Sequence, residues 1–88
     1  MGYESIDIIR NPSGVRQMAA EMKKLVDTYW SRRISEKEAR ELIIYWATYY
    51  PQYIFRANDY NPSIKQIVGK KRLAFVDVAL QGFQAKLQ

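Results

Sequence analysis

The sequence contains neither cysteine nor histidine, and its four glycines are scattered along the chain. Without cysteine there can be no disulfide. Without either residue there can be no zinc finger, no Cys–His or Ser–His nucleophilic pair, no histidine-ligated haem and no imidazole switch near neutral pH. Scattered glycines also exclude a glycine-rich phosphate loop. These absences remove most familiar catalytic and metal-binding designs.

Acidic residues are few, and their spacing does not indicate a catalytic pair. Glu36, Glu38 and Glu41 stand where they favour the dipole at the start of a helix, and Asp59 and Asp77 have no evident partner carboxylate. The sequence shows no loop spacing for a divalent cation. We therefore expect a protein that is not an enzyme, with no catalytic residue, no cofactor and no metal site.

Long apolar runs are missing as well. No stretch approaches the 18 or so apolar residues of a membrane span, and the segment from Met1 to Arg10 lacks the basic and apolar regions of a signal peptide. We expect a cytoplasmic protein without a membrane partner. Its 88 residues make a single domain, which on folding buries about 64% of the surface of the extended chain. A core this thin favours self-association, and we expect a homodimer.

Helix signals dominate the chain and predict an all-α fold. The tripeptides Asn11-Pro12-Ser13 and Asn61-Pro62-Ser63 each combine an N-cap residue with a proline at the first helical position. Ser35 and Glu38 form a capping box. The helices are predicted at residues 13–31, 36–50, 62–68 and 70–87, of which the first two form an antiparallel hairpin. Residues 1–11 are either an extension or a short strand that pairs with residues 53–55.

Two predicted helices have informative apolar faces. In the first helix, the apolar positions from Val15 to Trp30 form a single stripe that should face the core. Gly69 either ends the third helix or is absorbed into a longer one. The last helix is apolar around most of its girth, which is typical of a helix shared between subunits. The residues predicted to mediate self-association are Leu73, Phe75, Val76, Val78, Leu80 and Phe83.

Positive charge is concentrated late in the chain. Of the net charge of +5, residues 51–88 carry +4, from six basic and two acidic side chains. The focus is Lys70, Lys71 and Arg72, which either attract phosphates or an acidic protein surface, or simply keep the protein soluble.

Aromatic residues are concentrated between positions 45 and 60. Seven of the twelve aromatic residues lie in this interval: Tyr45, Trp46, Tyr49, Tyr50, Tyr53, Phe55 and Tyr60. Tyrosine and tryptophan are typical of interface hot spots, although the same residues also build cores and support loops, and they stack on bases. Tyr45 and Tyr49 are expected to be accessible. The predicted partner surface comprises Tyr45, Tyr49, Tyr53, Tyr60, Lys70, Lys71 and Arg72.

The segment from Ser63 to Leu80 offers an alternative, because a short helix, a glycine and a longer basic helix suggest a helix-turn-helix. The match is weak. Lys65 stands where that motif has a small buried residue, and Lys70 stands where it has an apolar one.

The segment Asn58-Asp-Tyr-Asn-Pro-Ser-Ile-Lys-Gln-Ile-Val-Gly-Lys-Lys-Arg-Leu73, together with the helix start Ile34-Ser-Glu-Lys-Glu38, resembles a family of short conserved hypothetical proteins of Gram-positive bacteria and their phages. The resemblance covers residues 12–80, and its most distinctive part is residues 69–73. It implies a context in which small proteins without catalytic groups bind and block larger host proteins. We expect a non-catalytic protein-binding module, an inhibitor or adaptor that self-associates. A nucleic-acid-binding regulator that uses residues 63–80 is the alternative.

Overall fold

The structure, a computed structural model, describes residues 8–87 and, within them, the side chains of residues 8–81. It is mainly helical, which confirms the predicted fold class. The elements are α1 (Val15–Trp30), α2 (Glu36–Tyr49), α3 (Pro51–Ile54), β1 (Phe55–Arg56), β2 (Asp59–Tyr60), α4 (Pro62–Val68) and α5 (Lys70–Leu87).

The first helix begins later than its sequence signal. Its N-cap is Gly14, and no side chain caps it. The expected cap at Asn11 is therefore wrong, because that side chain is bound to Tyr45 of α2 and to Tyr50, the C-cap of α2. The turn before the helix is closed by Gln17, whose Oε1 accepts hydrogen bonds from the Ser13 backbone N–H at 2.7 Å and from the Ser13 hydroxyl at 3.2 Å.

The second helix begins at the predicted capping box. The Ser35 Oγ accepts a hydrogen bond from the Glu38 N–H at 3.1 Å, and the Glu38 Oε1 accepts one from the Ser35 N–H at 2.9 Å. Pro51 ends α2 and occupies the first turn of the short α3. The helix boundary therefore follows directly from local sequence.

The only strands in the described part of the chain form a two-residue hairpin. Phe55 pairs with Tyr60 and Arg56 with Asp59, and Ala57 takes a φ of 56° in the turn. The expected pairing of residues 53–55 with the N-terminal segment is corrected here, because residues 53–54 belong to α3 and Phe55 already has its partner. The other half of that prediction falls mostly on residues 1–7, outside the described residues.

The fourth helix begins and ends as its sequence indicates. The Asn61 Oδ1 accepts a hydrogen bond from the Ser63 N–H at 2.9 Å, so this asparagine is the cap that Asn11 is not. Gly69 has a φ of 91°, a conformation that favours glycine, and it separates α4 from α5. The sequence left this break open, and the structure shows it.

The core lies where α1 packs on α4 and α2 packs on α5. Its largest fully buried side chains include Trp46 together with apolar residues from each of the four longer helices and α3. The buried Glu21 joins the N-terminal segment to α1: its Oε1 accepts from the Ile9 N–H at 2.8 Å, and its Oε2 pairs with Lys24 at 3.3 Å. Within residues 8–81, no buried side-chain nitrogen or oxygen lacks a hydrogen-bond partner.

Candidate functional site

Four tyrosines form a connected cluster where α2 passes into α3. The ring centroids of Tyr45 and Tyr49 are 4.8 Å apart, and the Tyr50 ring meets Tyr45 edge-on at 6.4 Å. Tyr50 also stacks on Tyr53 at 5.6 Å. The one-turn spacing on α2 explains the first contact, and the turn at Pro51 brings the last ring alongside the others. We call Tyr45, Tyr49, Tyr50 and Tyr53 the tyrosine surface.

The N-terminal segment fixes this cluster from one side. The Asn11 Oδ1 accepts hydrogen bonds from the hydroxyls of Tyr45 at 2.7 Å and Tyr50 at 2.8 Å. The guanidinium carbon of Arg10 lies 4.6 Å from the centre of the Tyr45 ring. The backbone carbonyl of Arg10 in turn accepts from the Trp46 indole N–H at 2.7 Å. The tyrosine rings are thus positioned before any partner arrives.

Within the tyrosine surface, exposure is greatest at Tyr49. This side chain is 63% exposed, whereas Tyr45, Tyr50 and Tyr53 are half-buried. The expectation that Tyr49 is accessible is confirmed. The same expectation for Tyr45 is confirmed only in part, because this side chain is half-buried. Half-buried tyrosines with a fully presented neighbour are typical of a protein contact surface.

Tyr60 belongs to a different group of side chains. Its ring stacks on Phe55 with centroids 5.6 Å apart, and its hydroxyl donates a hydrogen bond to the Asp77 carboxylate on α5. Burial raises the pKa of the Tyr60 hydroxyl, and the bond to Asp77 raises it further. This tyrosine therefore attaches the hairpin to α5. It shares a surface depression with Lys70 rather than with the tyrosine surface.

The same hairpin also holds one of the basic residues of the C-terminal half. Lys65 forms an exposed ion pair with Asp59. The hydrogen bond from Lys65 lowers the pKa of the Asp59 carboxyl, as does the bond that this carboxylate accepts from the Tyr60 N–H.

The basic cluster is divided in its roles. Lys70 and Lys71 are exposed at the start of α5. Arg72 is bound to α1, where its Nε donates to the Asp27 Oδ1 at 2.8 Å and its Nη2 to the Asp27 Oδ2 at 3.2 Å. A further bond from its Nη1 reaches the Val68 carbonyl at 3.2 Å. Two of the three predicted cations are therefore available to a partner, and the third holds α5 against α1.

The residues predicted for self-association separate in the same way. Leu73, Val76 and Leu80 are buried in the core of the chain itself. Phe75 is half-buried against Tyr29, with the two rings stacked at 4.6 Å, and Val78 is 56% exposed. Phe83 lies outside the described side chains. Of the described side chains that were predicted to mediate self-association, Phe75 and Val78 are thus the two that retain exposed surface.

Trp30 is the aromatic residue that the sequence pattern misplaced. The apolar stripe of α1 predicted that it faces the core, but it is 48% exposed. It is the last residue of its helix, one turn after the fully buried Val26. The two arginines that follow it, Arg32 and Arg33, are the local signal of a solvated helix end.

The helix-turn-helix candidate has features that a recognition helix does not need. A single residue, Gly69, separates α4 from α5, whereas that motif uses a turn of about three or four residues. Lys65 and Arg72 are already paired with acidic groups of the same chain. On the outer face of α5, Asp77 would repel a phosphate backbone.

The acidic residues considered for catalysis remain apart or engaged in structure. Glu38 closes its capping box, and Asp59 and Asp77 hold the hairpin. In the described portion of the chain, no group of three metal-binding side chains comes together. Among the helices the structure describes, none has the length and apolar character to cross a bilayer.

Comparison with known proteins gives one match. A family model described as "Conserved hypothetical protein" matches residues 9–81, which covers the tyrosine surface, the hairpin and most of the described helices. Neither the curated proteins nor the solved structures contain a match.

Proposed function

This chain belongs to that family of conserved hypothetical proteins, and we propose that it acts as a non-catalytic protein-binding module whose contact surface is centred on Tyr49. The observation that carries the proposal is the tyrosine surface itself: the exposed ring of Tyr49 lies against Tyr45, which is in turn packed against Tyr50. Rigid aromatic side chains supply contact area at low entropic cost, and prior fixation reduces that cost further.

Asn11 and Arg10 give this surface its preorganisation. The hydroxyls of Tyr45 and Tyr50 share the Asn11 amide oxygen, and the Arg10 guanidinium lies over the Tyr45 ring. These rings therefore do not need to be ordered when a partner binds. Lys70 and Lys71 add exposed positive charge elsewhere on the protein. In the proposal they steer an acidic partner toward the surface and contribute less to the final affinity.

The proposed setting is the cytoplasm of Gram-positive bacteria, with relatives encoded by their phages. The proposed partner is a larger host protein, which the module either inhibits or, as an adaptor, links to another protein. The support is the resemblance of residues 12–80 to a family of short conserved hypothetical proteins. Self-association as a homodimer is a separate proposal, in which Phe75 and Val78 of α5 form the contact between the two copies. Light scattering during size exclusion at micromolar concentration tests it, and a species of 10.4 kDa throughout would remove it.

Quantitative affinity capture tests the main proposal. The immobilised protein and its Tyr49→Ala variant are exposed to nuclease-treated lysate of a Gram-positive host, with Thr48→Ala as the matched control. Thr48 is exposed next to Tyr49, and its hydroxyl bonds to its own helix at Ile44, so this variant removes a neighbouring side chain without touching the rings.

We expect Tyr49→Ala to bind one host protein about thirtyfold more weakly than the parent protein does, since hot-spot tyrosines contribute about 2 kcal/mol or more. Thr48→Ala should retain that protein as the parent does. Equal retention by all three proteins would contradict the proposal. Retention that occurs only in a parallel lysate without nuclease treatment, and that falls steeply with salt, would favour the nucleic-acid alternative.

A further inference from the structure

The tyrosine surface has free hydrogen-bond donors at its edge, whereas the acceptors beside them are already in use. The Asn11 Oδ1 accepts from the hydroxyls of both Tyr45 and Tyr50, which occupies both lone pairs of the amide oxygen. The Asn11 side chain is exposed, and its Nδ2 makes no hydrogen bond with the part of the chain that the structure describes. Two amide N–H groups therefore lie beside the tyrosine rings without an acceptor.

Arg10 shows the same pattern one residue earlier. Its guanidinium is exposed, lies over the Tyr45 ring and forms no ion pair with the described side chains. Its backbone carbonyl, by contrast, already accepts from the Trp46 indole N–H at 2.7 Å. Where the N-terminal segment borders the tyrosine surface, it thus offers N–H donors to a ligand.

The positive charge of Arg10 is offset by neighbouring carboxylates. Its side chain lines a depression together with Glu38 and Glu41 of α2, and it is the only basic residue among the described side chains that line it. A carboxylate or phosphate on the ligand would meet both glutamates close to the guanidinium. The surface therefore favours acceptors that carry no net charge.

The ligand that fits is apolar, rich in neutral acceptors and poor in donors. An ordinary peptide carries one N–H for each carbonyl, and N–H groups that are buried without an acceptor cost free energy. Proline has the carbonyl without the N–H, and proline-rich segments dock on aromatic surfaces. In the polyproline II conformation these carbonyls make no internal hydrogen bonds, and the segment is ordered before it binds. The 63% exposed ring of Tyr49 supplies the aromatic face.

We propose that the tyrosine surface binds a proline-rich segment of the partner in the polyproline II conformation. A proline ring packs on Tyr49, and backbone carbonyls of the segment accept from the Asn11 amide and the Arg10 guanidinium. This inference rests on the proposed function and names the chemistry of its partner.

The other occupants of this surface fit less well. A second copy of the chain has no proline-rich segment to offer, because its three prolines are isolated from one another and Pro12 is buried. An acidic segment or a nucleic acid would bring negative charge to Glu38 and Glu41.

Fluorescence anisotropy with the whole chain tests the proposal. The probe is a fluorescein-labelled dodecapeptide of four Pro-Pro-Leu repeats, and the matched peptide has serine at each proline position. An acidic dodecapeptide of alternating Glu and Leu and a thymidine dodecamer represent the other ligands. Each titration is made at about 50 mM and about 500 mM sodium chloride, since salt screens charged contacts and leaves neutral ones.

We expect the proline peptide to bind with a micromolar Kd that changes less than about twofold with salt. The serine peptide should bind about tenfold more weakly or worse, as should the proline peptide to Tyr49→Ala. Thr48→Ala, the matched control, should bind like the parent protein.

Asn11→Asp separates the donors of this side chain from its role in positioning the rings. The substitution keeps an acceptor for Tyr45 and Tyr50 but removes the two N–H groups. We expect several-fold weaker binding of the proline peptide, while urea denaturation shows that the fold is retained. If Asn11 only positions the rings, Asn11→Asp would bind the peptide as the parent does, which would overturn the proposed contact.

Three further results would overturn the proposal. The first is no binding of the proline peptide at millimolar concentration, or equal binding of the serine peptide. The second is binding that Tyr49→Ala leaves intact. The third is tighter, Tyr49-dependent binding of the acidic peptide or of the thymidine dodecamer. If capture of a host protein from lysate still depends on Tyr49, the first result removes only the proline-rich ligand. Capture that does not depend on Tyr49 removes the proposed function itself.

Discussion

The tyrosine surface and the end of α1, where Trp30 lies beside the Arg72–Asp27 pair and which we call the Trp30 surface, both present an aromatic ring to solvent. Different chemistry holds the ring in place at each. At the tyrosine surface a neutral acceptor, the Asn11 amide oxygen, fixes two hydroxyls. At the Trp30 surface an ion pair between Arg72 and Asp27 fixes a cation beside the indole. The tyrosine surface is therefore held mainly by hydrogen bonds between uncharged groups, with the Arg10 guanidinium over the Tyr45 ring beside them, whereas an ion pair holds the other surface. The two should respond differently to salt, to substitution and to a partner's charge.

The largest difference in stability should be between alanine substitutions of the two tryptophans, Trp46 and Trp30. Trp46 is fully buried, and its indole N–H donates to the Arg10 carbonyl. Trp46→Ala should lower the free energy of unfolding by about 3–5 kcal/mol, because it leaves a cavity and releases the N-terminal segment. Trp30→Ala should cost no more than about 1 kcal/mol. Urea denaturation of both variants measures the difference, and similar losses would mean that Trp30 is part of the core.

Asn11→Ala should destabilise the protein by about 1.5 kcal/mol, because two tyrosine hydroxyls lose their common acceptor. Asn11→Asp keeps an acceptor at the same place and should recover most of that loss. Urea denaturation at low and high salt measures both, and the effect of Asn11→Ala should not depend on salt. If Asn11→Ala is neutral, the tyrosine rings are held by their own packing.

Arg72→Gln should destabilise the protein by about 1 kcal/mol at low salt, because Asp27 loses a partly exposed bidentate partner. Salt screens such a pair, so the difference from the parent protein should shrink toward 1 M sodium chloride. Arg72→Lys should not restore the full value, since an ammonium cannot make both bonds in the same plane. A salt-independent effect would contradict the charge-based account of this surface.

Arg32→Gly should have the smallest effect on stability and the opposite sign. Relief of the positive φ should raise the free energy of unfolding by about 0.5 kcal/mol, after the greater flexibility of unfolded glycine is subtracted. Arg33→Gly, one residue later, should be neutral or destabilising. Thermal unfolding of the two variants provides the comparison, and a lower melting temperature for Arg32→Gly would show that the arginine side chain stabilises the turn.

Local sequence signals predicted the helix boundaries that local contacts decide. These signals are the capping box of Ser35 and Glu38, the cap at Asn61 and the stop at Pro51. Each depends on residues only a few positions apart in sequence, so the pattern and the structure agree. The all-α fold class follows from the same signals. The contact between Tyr45 and Tyr49 was also predictable from the sequence, because these residues lie one helical turn apart.

The misplaced features depend on tertiary contacts that spacing does not reveal. Asn11 has the sequence signature of a cap. Its side chain instead accepts hydrogen bonds from Tyr45 and Tyr50, which lie 34 and 39 positions further along the chain. Trp30 follows the apolar periodicity of α1, which says nothing of where the covering elements stop. Arg72 looks like part of a free basic cluster, and only the approach of α1 brings Asp27 to it, 45 residues away in sequence.

The most direct test of binding through the tyrosine surface is photo-crosslinking in host cells. A p-benzoyl-phenylalanine is placed at position 49 and, as the matched control, at position 48, which is also exposed but lies one helical step, about 100°, around α2 from Tyr49. The account predicts one dominant host protein crosslinked from position 49 and little from position 48. Equal crosslinking from both positions, or crosslinks to nucleic acid from position 49, would contradict it.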